Sequence, residues 1–297
     1  MANTTAAVNV DRLAELTLDT LMTKGVPLKA FTTDLTSAVS QRGDVVRTRY
    51  AGNPSVVDFS DPANRVAADA DLTDLSVTLN QYQGVGMGFT DLERSYTDFD
   101  LIQFHIEPAV AALVDKMIED ALSLAVTGNV SDAQVSTAAN FDADAVADLA
   151  EGLSTRKVST AGRAIIIPPS YMNGLLKDSV LISASDNAEG RTPLREGMVR
   201  RIHGFDVYEY NGTIPANSRN MTGIALQPQA LAIAARVVAA PENWNGQVRN
   251  ITDPNSGLTI QLRHWYDDIQ QRTELSVLYG VNADSTTGSK ATAIVSA

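Results

Sequence analysis

Apolar positions change their spacing along this chain, and each change marks a different element. Leu13, Leu16, Leu18 and Leu21 stand among polar residues as a short amphipathic helix that Gly25-Val-Pro27 closes. So short a piece is too isolated for a core of its own, and it reads as an arm that packs on something else. Beyond Gly43 the period becomes two. Val46, Thr48 and Tyr50 alternate with Val45, Arg47 and Arg49; a stretch rich in Asp and Ala runs from Ser60 to Asp74; Val77, Leu79, Val85, Met87 and Phe89 then share one parity. Alternation of this kind signals strands, so residues 44–90 predict two long strands around a polar excursion. A lone hairpin is marginal in water, and this one calls for support from neighbours.

The strongest helical pattern covers residues 98–127. Ile106, Val110, Leu113, Met117, Ala121 and Leu124 form one stripe, joined by Val114, Ile118 and Ala125. Asp98 or Asp100 suits the start and Gly128 the end, while Pro108 predicts either a kink or the opening of the main segment. Further on, short elements alternate. Phe141 to Leu153 predicts a helix, and Ala164-Ile-Ile-Ile167 a strand buried on both faces. Ser170 is a candidate cap for a helix through Leu176. Phe205 to Tyr210 predicts a strand stopped by a tight turn at Asn211-Gly212, with strand-like pieces at Gly223 to Leu226 and Ala232 to Val238. Leu258, Ile260, Leu262, His264 and Tyr266, then Leu275, Val277, Tyr279 and Val281, predict an antiparallel pair, followed by a short apolar terminus. The fold class is α+β, without internal repeats.

Composition narrows the function. The 297 residues are 44% hydrophobic and 20% charged, ordinary for a globular protein. A net charge of −12 argues against wrapping nucleic acid over the whole surface, though not against enclosing it. With no cysteine, disulfides, thiolate metal sites and cysteine nucleophiles are excluded. No basic cluster with a following apolar run marks a signal peptide. The longest apolar run, Ala230 to Ala240, is broken by Arg236 and falls short of a membrane span. The expectation is a soluble protein made inside the cell, and the glycosylation-type triplets at Asn211 and Asn250 then read as polar turns.

No catalytic constellation emerges. Gly84, Gly86 and Gly88 lie inside a strand pattern and lack the following helix that a phosphate loop needs, so they read as strand glycines. Asp69, Asp71 and Asp74 do not continue into a calcium loop, because Asp74 and Asn80 stand where Gly and Glu are required. His105, His203 and His264 are far apart, no G-x-S-x-G elbow occurs, and Asp267-Asp268 and Glu119-Asp120 carry no acid/base spacing. The chain is therefore expected to be neither an enzyme nor a cofactor carrier. Arg47, Arg49, Arg65 and Arg94, in or beside the hairpin, lie near Asp58, Asp61, Asp69, Asp71 and Asp74 in sequence. Between identical subunits such groups would fix register across an interface; otherwise they are solvated strand charges.

In this order of parts the chain resembles the Hong Kong 97-type capsid fold. The blocks Gly43-Asp-Val-Val-Arg47, Val77-Thr-Leu79, Gly84-Val85, Phe89-Thr90, Phe99 and Ile106-Glu-Pro-Ala-Val-Ala-Ala-Leu113 are similar to the coat protein family of short-tailed Salmonella-type phages. Ile167-Pro-Pro-Ser-Tyr171, Leu175-Leu176 and Gly204-Phe-Asp-Val-Tyr208 extend the likeness. The resemblance implies an N-terminal arm (1–43), an E-loop (44–92), a P-domain with a spine helix (93–128), an A-domain (129–250), and P-domain long strands with a C-terminal tail (251–297). It implies a major capsid protein that assembles as hexamers and pentamers around double-stranded DNA without sequence-specific binding, away from membranes. Scaffolding and portal proteins would be its partners, the host cytoplasm its place of synthesis and the virion capsid its location. Two features depart from the larger members of that family: no accessory domain fits between 163 and 250, and no charged helix precedes the arm. No lysine lies between Lys29 and Lys116, so isopeptide cross-linking from the hairpin is chemically excluded. Tail-tube or decoration subunits are the alternative virion reading, and an acidic α/β enzyme the alternative outside it.

Overall fold

The computed structural model describes residues 10–51, 58, 60, 72–90, 92–93, 101–178, 199–240, 246–267, 270–284 and 290–296. Among them, four helices and fourteen strands form two six-stranded sheets and a two-stranded hairpin. The first sheet is organised by β13 (Gln270–Ala283), the long second member of the predicted pair with β12 (Thr259–Asp267). Leu278 and Tyr279 of β13 pair with both β10 (Leu231–Val237) and β4 (Gln81–Thr90). Those two strands therefore lie on opposite edges of β13. Because β12 and β4 also share partners from Gln270 to Ser276, β12 and β10 follow one another along the same edge. β1 (Thr32–Val39) adds parallel to β10, and β11 (Gln247–Thr252) antiparallel to β12.

The second sheet runs β5 (Asp132–Val135), β14 (Ala291–Val295), β9 (Met221–Leu226), β6 (Ala164–Ile167), β8 (Phe205–Glu209) and β7 (Arg201–Ile202). Its strands present alternate residues to two cores. Ile166, Ile224 and Ala293 face the main core, while Ile165, Ala225 and Ile294 face a smaller one under α3 (Ala143–Thr155) and α4 (Pro169–Lys177). Double burial explains why Ala164-Ile-Ile-Ile167 carries no polar position. The apolar terminus expected as a tail is instead an inner strand, and β10, with β11 up to Asn250, hydrogen bonds into the first sheet although these residues fall within 129–250.

The spine helix α2 (Leu101–Ser123) buries the predicted stripe, with Ile106, Val110, Leu113, Met117 and Ala121 all in the main core. It continues through Pro108, which lies on its exposed side. The helix stops short of Thr127, and Gly128 keeps a negative φ and does not cap it. The orphan carbonyls at this end are met from elsewhere. Asn217 Nδ2 donates to Leu122 at 2.8 Å, Asn129 Nδ2 to Leu124 at 2.8 Å, and Arg219 to Ala125 and Val130. α1 (Val10–Lys24) packs on α2 and β11, with Leu13 and Leu21 fully buried. The helical part of the expected arm thus packs on its own chain, because its apolar stripe shares the core with α2.

The hairpin departs from expectation in a similar way. Its parity runs unbroken from Val77 to Phe89, but the strand changes partners at Leu79-Asn80. β3 (Leu72–Thr78) pairs with β2 (Val45–Ala51), and β4 leaves to join β13. Leu75, Val77 and Leu79 then bury against Ala232, Ala234 and Leu278 on the outer face of the first sheet. This seating needs close backbone approach. A Cβ at Gly280 would fall on the carbonyl of Thr78, and Asn282 Nδ2 donates to Ser76 at 2.7 Å.

Local signals met other mixed outcomes. Asp142 caps α3 by accepting from the Ala145 amide at 2.9 Å, but Pro168 rather than Ser170 precedes α4. The tight hairpin turn is His203-Gly204, with φ of 45° and 85°, joining β7 to β8. Asn211-Gly212 is not that turn, and Asn250 to Thr252 lies in β11 rather than in a turn.

Candidate functional site

No cluster of three or more His, Asp or Glu able to hold a metal occurs among the described residues. Among them, too, no helix is long and apolar enough to cross a membrane. What the sequence builds instead is a set of surfaces and edges held by a rigid frame.

The frame centres on α2. Tyr279 of β13 is fully buried and donates its hydroxyl to Asp120 Oδ2 at 2.5 Å, while Lys116 Nζ holds Asp120 Oδ1 at 2.8 Å. One turn earlier, Tyr210 after β8 donates to the Asp115 carbonyl at 3.1 Å. Two phenols thereby tie the helix to both sheets. Burial pushes both phenols well above the ordinary tyrosine range, and the charges of Asp120 and Glu119 (for Tyr279) or Asp115 and Glu119 (for Tyr210) push the same way. Burial likewise raises the Asp115 carboxyl, partly opposed by Lys24. Alternation placed Tyr279 in a strand without giving its hydroxyl a partner, which Asp120 on the facing helix supplies.

The raised phenols make stability fall in alkali. Tyrosine in the unfolded chain ionises near pH 10, whereas Tyr279 and Tyr210 stay neutral in the folded one. Their contribution is therefore present below pH 10 and lost as pH rises above it. Urea unfolding is expected to show no loss from these groups between pH 8 and 10, and a loss of about 1.4 kcal/mol per pH unit for each of them from pH 10 to 12. Tyr279→Phe should flatten that slope while costing about 2 kcal/mol at pH 8 through the lost bond to a carboxylate; an unchanged slope would contradict this assignment.

Of the nine candidate interface residues, the structure describes four. Arg47 is exposed on β2, and the register of β2 and β3 sets Arg49 opposite Asp74 along the hairpin backbone. Asp58 is exposed, and its carboxyl is held below the usual range by hydrogen bonds from the Ser60 hydroxyl and amide, the latter at 2.8 Å. Arg65, Arg94, Asp61, Asp69 and Asp71 lie outside the described residues. After β4, Thr90 and Glu93 exchange hydrogen bonds, with both the Thr90 amide and hydroxyl donating to Glu93 Oε2. The T-x-x-E spacing was the sequence signal for this capping box.

The three glycines do lie in a strand, on the outer face of β4. With no side chains there, they floor an open groove of about 660 Å³ walled by Tyr82, Trp265, Arg272 and Glu274. A second groove of about 680 Å³ continues past Tyr82 to Val39, Val238 and Leu278 at the hairpin base.

No family model matches the chain, and no curated protein matches it. Solved structures do. A capsid structure of the cyanophage P-SCSP1u superposes with a TM-score of 0.57 at 13% identity, covering 90% of this chain and 86% of that one. The mature capsid of bacteriophage PhiM1 gives 0.56 at 12% identity, over 90% and 86%. A virus-like particle from Pyrococcus furiosus gives 0.54 at 12% identity, over 97% of this chain and all of that one. The α+β architecture is the fold of phage capsid subunits.

Proposed function

We propose that this chain is the major capsid protein of a tailed phage, a structural subunit and not an enzyme. Copies assemble as hexamers and pentamers into an icosahedral shell around double-stranded DNA, which the shell encloses without reading its sequence. One observation carries this reading: the likeness to phage capsid structures covers 90% of this chain and 86% of each of two of them. The net charge of −12 supports it, since an acidic wall leaves packed phosphate free to move.

In this reading residues 44–92 act as the E-loop. The spine helix of 93–128 and the long strands of 251–297 form the P-domain, and 129–250 the A-domain. The sequence blocks shared with the coat proteins of short-tailed Salmonella-type phages favour membership of that group. Scaffolding and portal proteins are its expected partners, synthesis takes place in the bacterial cytoplasm, and the finished chain resides in the virion.

Negative-stain electron microscopy of the expressed protein tests the proposal. Hollow uniform shells, or rings of five and six, are expected. A strictly monodisperse monomer at high concentration would overturn it.

A further inference from the structure

Sheet edges are where one chain recruits another, and soluble proteins protect them with charge, proline, bulges or cover. Most edges of this molecule follow that rule. β1 has an irregularity between Leu35 and Val39, β5 is four residues long with Asp132 held by Arg156 at 3.2 Å, and β7 has only two residues. β11 is flanked by α1 through an Arg249–Asp11 pair at 3.3 Å. The hairpin strands carry Arg47, Arg49 and Asp74.

β4 breaks the rule. Over Gln81–Thr90 it has no charge, no proline and no irregularity against β13, and among the described residues no strand pairs with its other edge. Its outer face is nearly bare. Around Gly86, nothing stands within 4 Å of where a Cβ would sit. Two side chains of β13 flank these glycines, Glu274 by its carboxylate and Arg272 by its stem alone, its guanidinium being turned toward β12. The Arg272 stem lies 3.8 Å from the Cβ position of Gly88, and Glu274 Oε1 lies 3.6 Å from that of Gly84. Arg272 also holds Asp267 at 3.1 Å, and Tyr82 donates to Glu274 at 3.4 Å.

We infer that β4 pairs antiparallel with β4 of a second copy of this chain, about a two-fold axis at Gly86. That register sets Gly88 opposite Gly84 of the partner subunit. Arg272, exchanging Asp267 for a new partner and swinging over Gly88, then meets Glu274 of the partner subunit leaning over that glycine, and symmetry makes the ion pair twice. Other registers lose this complementarity; a pairing centred two residues away offsets the charges. The contact joins the first sheets of two subunits into one continuous sheet, with the glycine groove running across both. It rests on the proposed function only in that a closed shell supplies such two-fold contacts; the pairing itself is a property of the edge.

The absence of cysteine makes the test clean. Gly86→Cys adds a side chain where there is open space, and opposite residues of an antiparallel pair come close enough to link. Mild oxidation of the full-length variant is expected to give a covalent dimer, whereas Tyr82→Cys, whose copies stand far apart in this register, should stay monomeric. Adding Arg272→Glu to Gly86→Cys should cut dimer yield about tenfold, and adding Glu274→Arg as well should restore it. Equal cross-linking of Gly86→Cys and Tyr82→Cys, or no effect of the charge reversal, would overturn the pairing. Failure of Gly86→Cys to cross-link while shells form in the same sample would overturn the pairing and leave the capsid reading standing. Dimers without any larger assembly would support the pairing and count against the capsid reading.

Discussion

A chain ending at Asp284, and so lacking β14, is expected to yield no soluble folded subunit. β14 has every residue buried and hydrogen bonds on both edges, parallel to β5 and antiparallel to β9. It also faces both cores, with Ala291, Ala293 and Val295 in one and Ile294 in the other. Removing it exposes apolar surface on two fronts and orphans the inward edges of two strands, and β5 loses its only partner among the described residues. The lost burial of Ile and Val alone is on the order of 4 kcal/mol, and each stranded amide or carbonyl adds about 1 kcal/mol or more. That total reaches the whole stability of a typical domain. Neighbouring contacts fall with it. Arg156 donates to the Ala291 carbonyl at 3.1 Å and to Thr292, and Lys290 pairs with the buried Asp284 at 2.8 Å. The measurement is the soluble fraction after expression, with Ile294→Ala as a graded companion expected to cost about 3 kcal/mol in urea. A truncated chain that stays soluble and unfolds cooperatively would contradict the account.

Gly280→Val is expected to unseat the hairpin while leaving both sheets folded. The new Cβ must occupy the position of the Thr78 carbonyl, and Val77 Cγ1 lies 3.1 Å from the same point. Backbone on both sides is fixed by pairing, to β10 on one side and to β2 on the other, so neither can yield cheaply. The predicted cost is about 3 kcal/mol, the upper range of ordinary overpacking. It should appear locally. Leu75, Val77 and Leu79 would leave Ala232, Ala234 and Leu278, and β3 would lose the bond from Asn282 to Ser76. Hydrogen exchange is the readout: residues 72–79 should lose protection while β12 and β14 keep theirs. On the proposed capsid reading shell formation should fail as well, because the hairpin would no longer be aimed. Gly86→Ala, made in open space on the next strand, should alter neither protection nor assembly. If the two variants behave alike, close approach at Gly280 is not what seats the hairpin.

Much of the architecture was legible in the sequence where one pattern had one physical cause. The stripe from Ile106 to Ala121 fits a helix buried along one side, and the all-apolar run Ala164 to Ile167, stopped by Pro168-Pro169, fits a strand buried on both faces. The misreadings share a different origin. Parity from Val77 to Phe89 records which face is buried and is silent about which strand lies alongside, so the change of partner at Leu79-Asn80 left no mark. The same holds for Ala291 to Val295, whose composition fits a tail or an inner strand equally well. Turn chemistry misled at Asn211-Gly212, where a favourable dipeptide stood without a following strand to fold back, while His203 took the strained position before Gly204. The charged candidates were least legible. Spacing gathers Arg47 and Arg49 with the hairpin aspartates, but only the register puts Arg49 across from Asp74.

The same long-range pairing has a kinetic consequence. β1 joins β10 across about 200 residues of chain, and β4 joins β13 across about 190. Each must close a large loop before it gains a single ladder bond, so this topology belongs at the slow end of folding rates. Until β13 is in place, β4 has two open edges instead of one, and an uncharged, glycine-rich strand then waits in the crowded cell for a partner it cannot yet choose. On the proposed capsid reading, finished subunits therefore become available only after these long loops have closed.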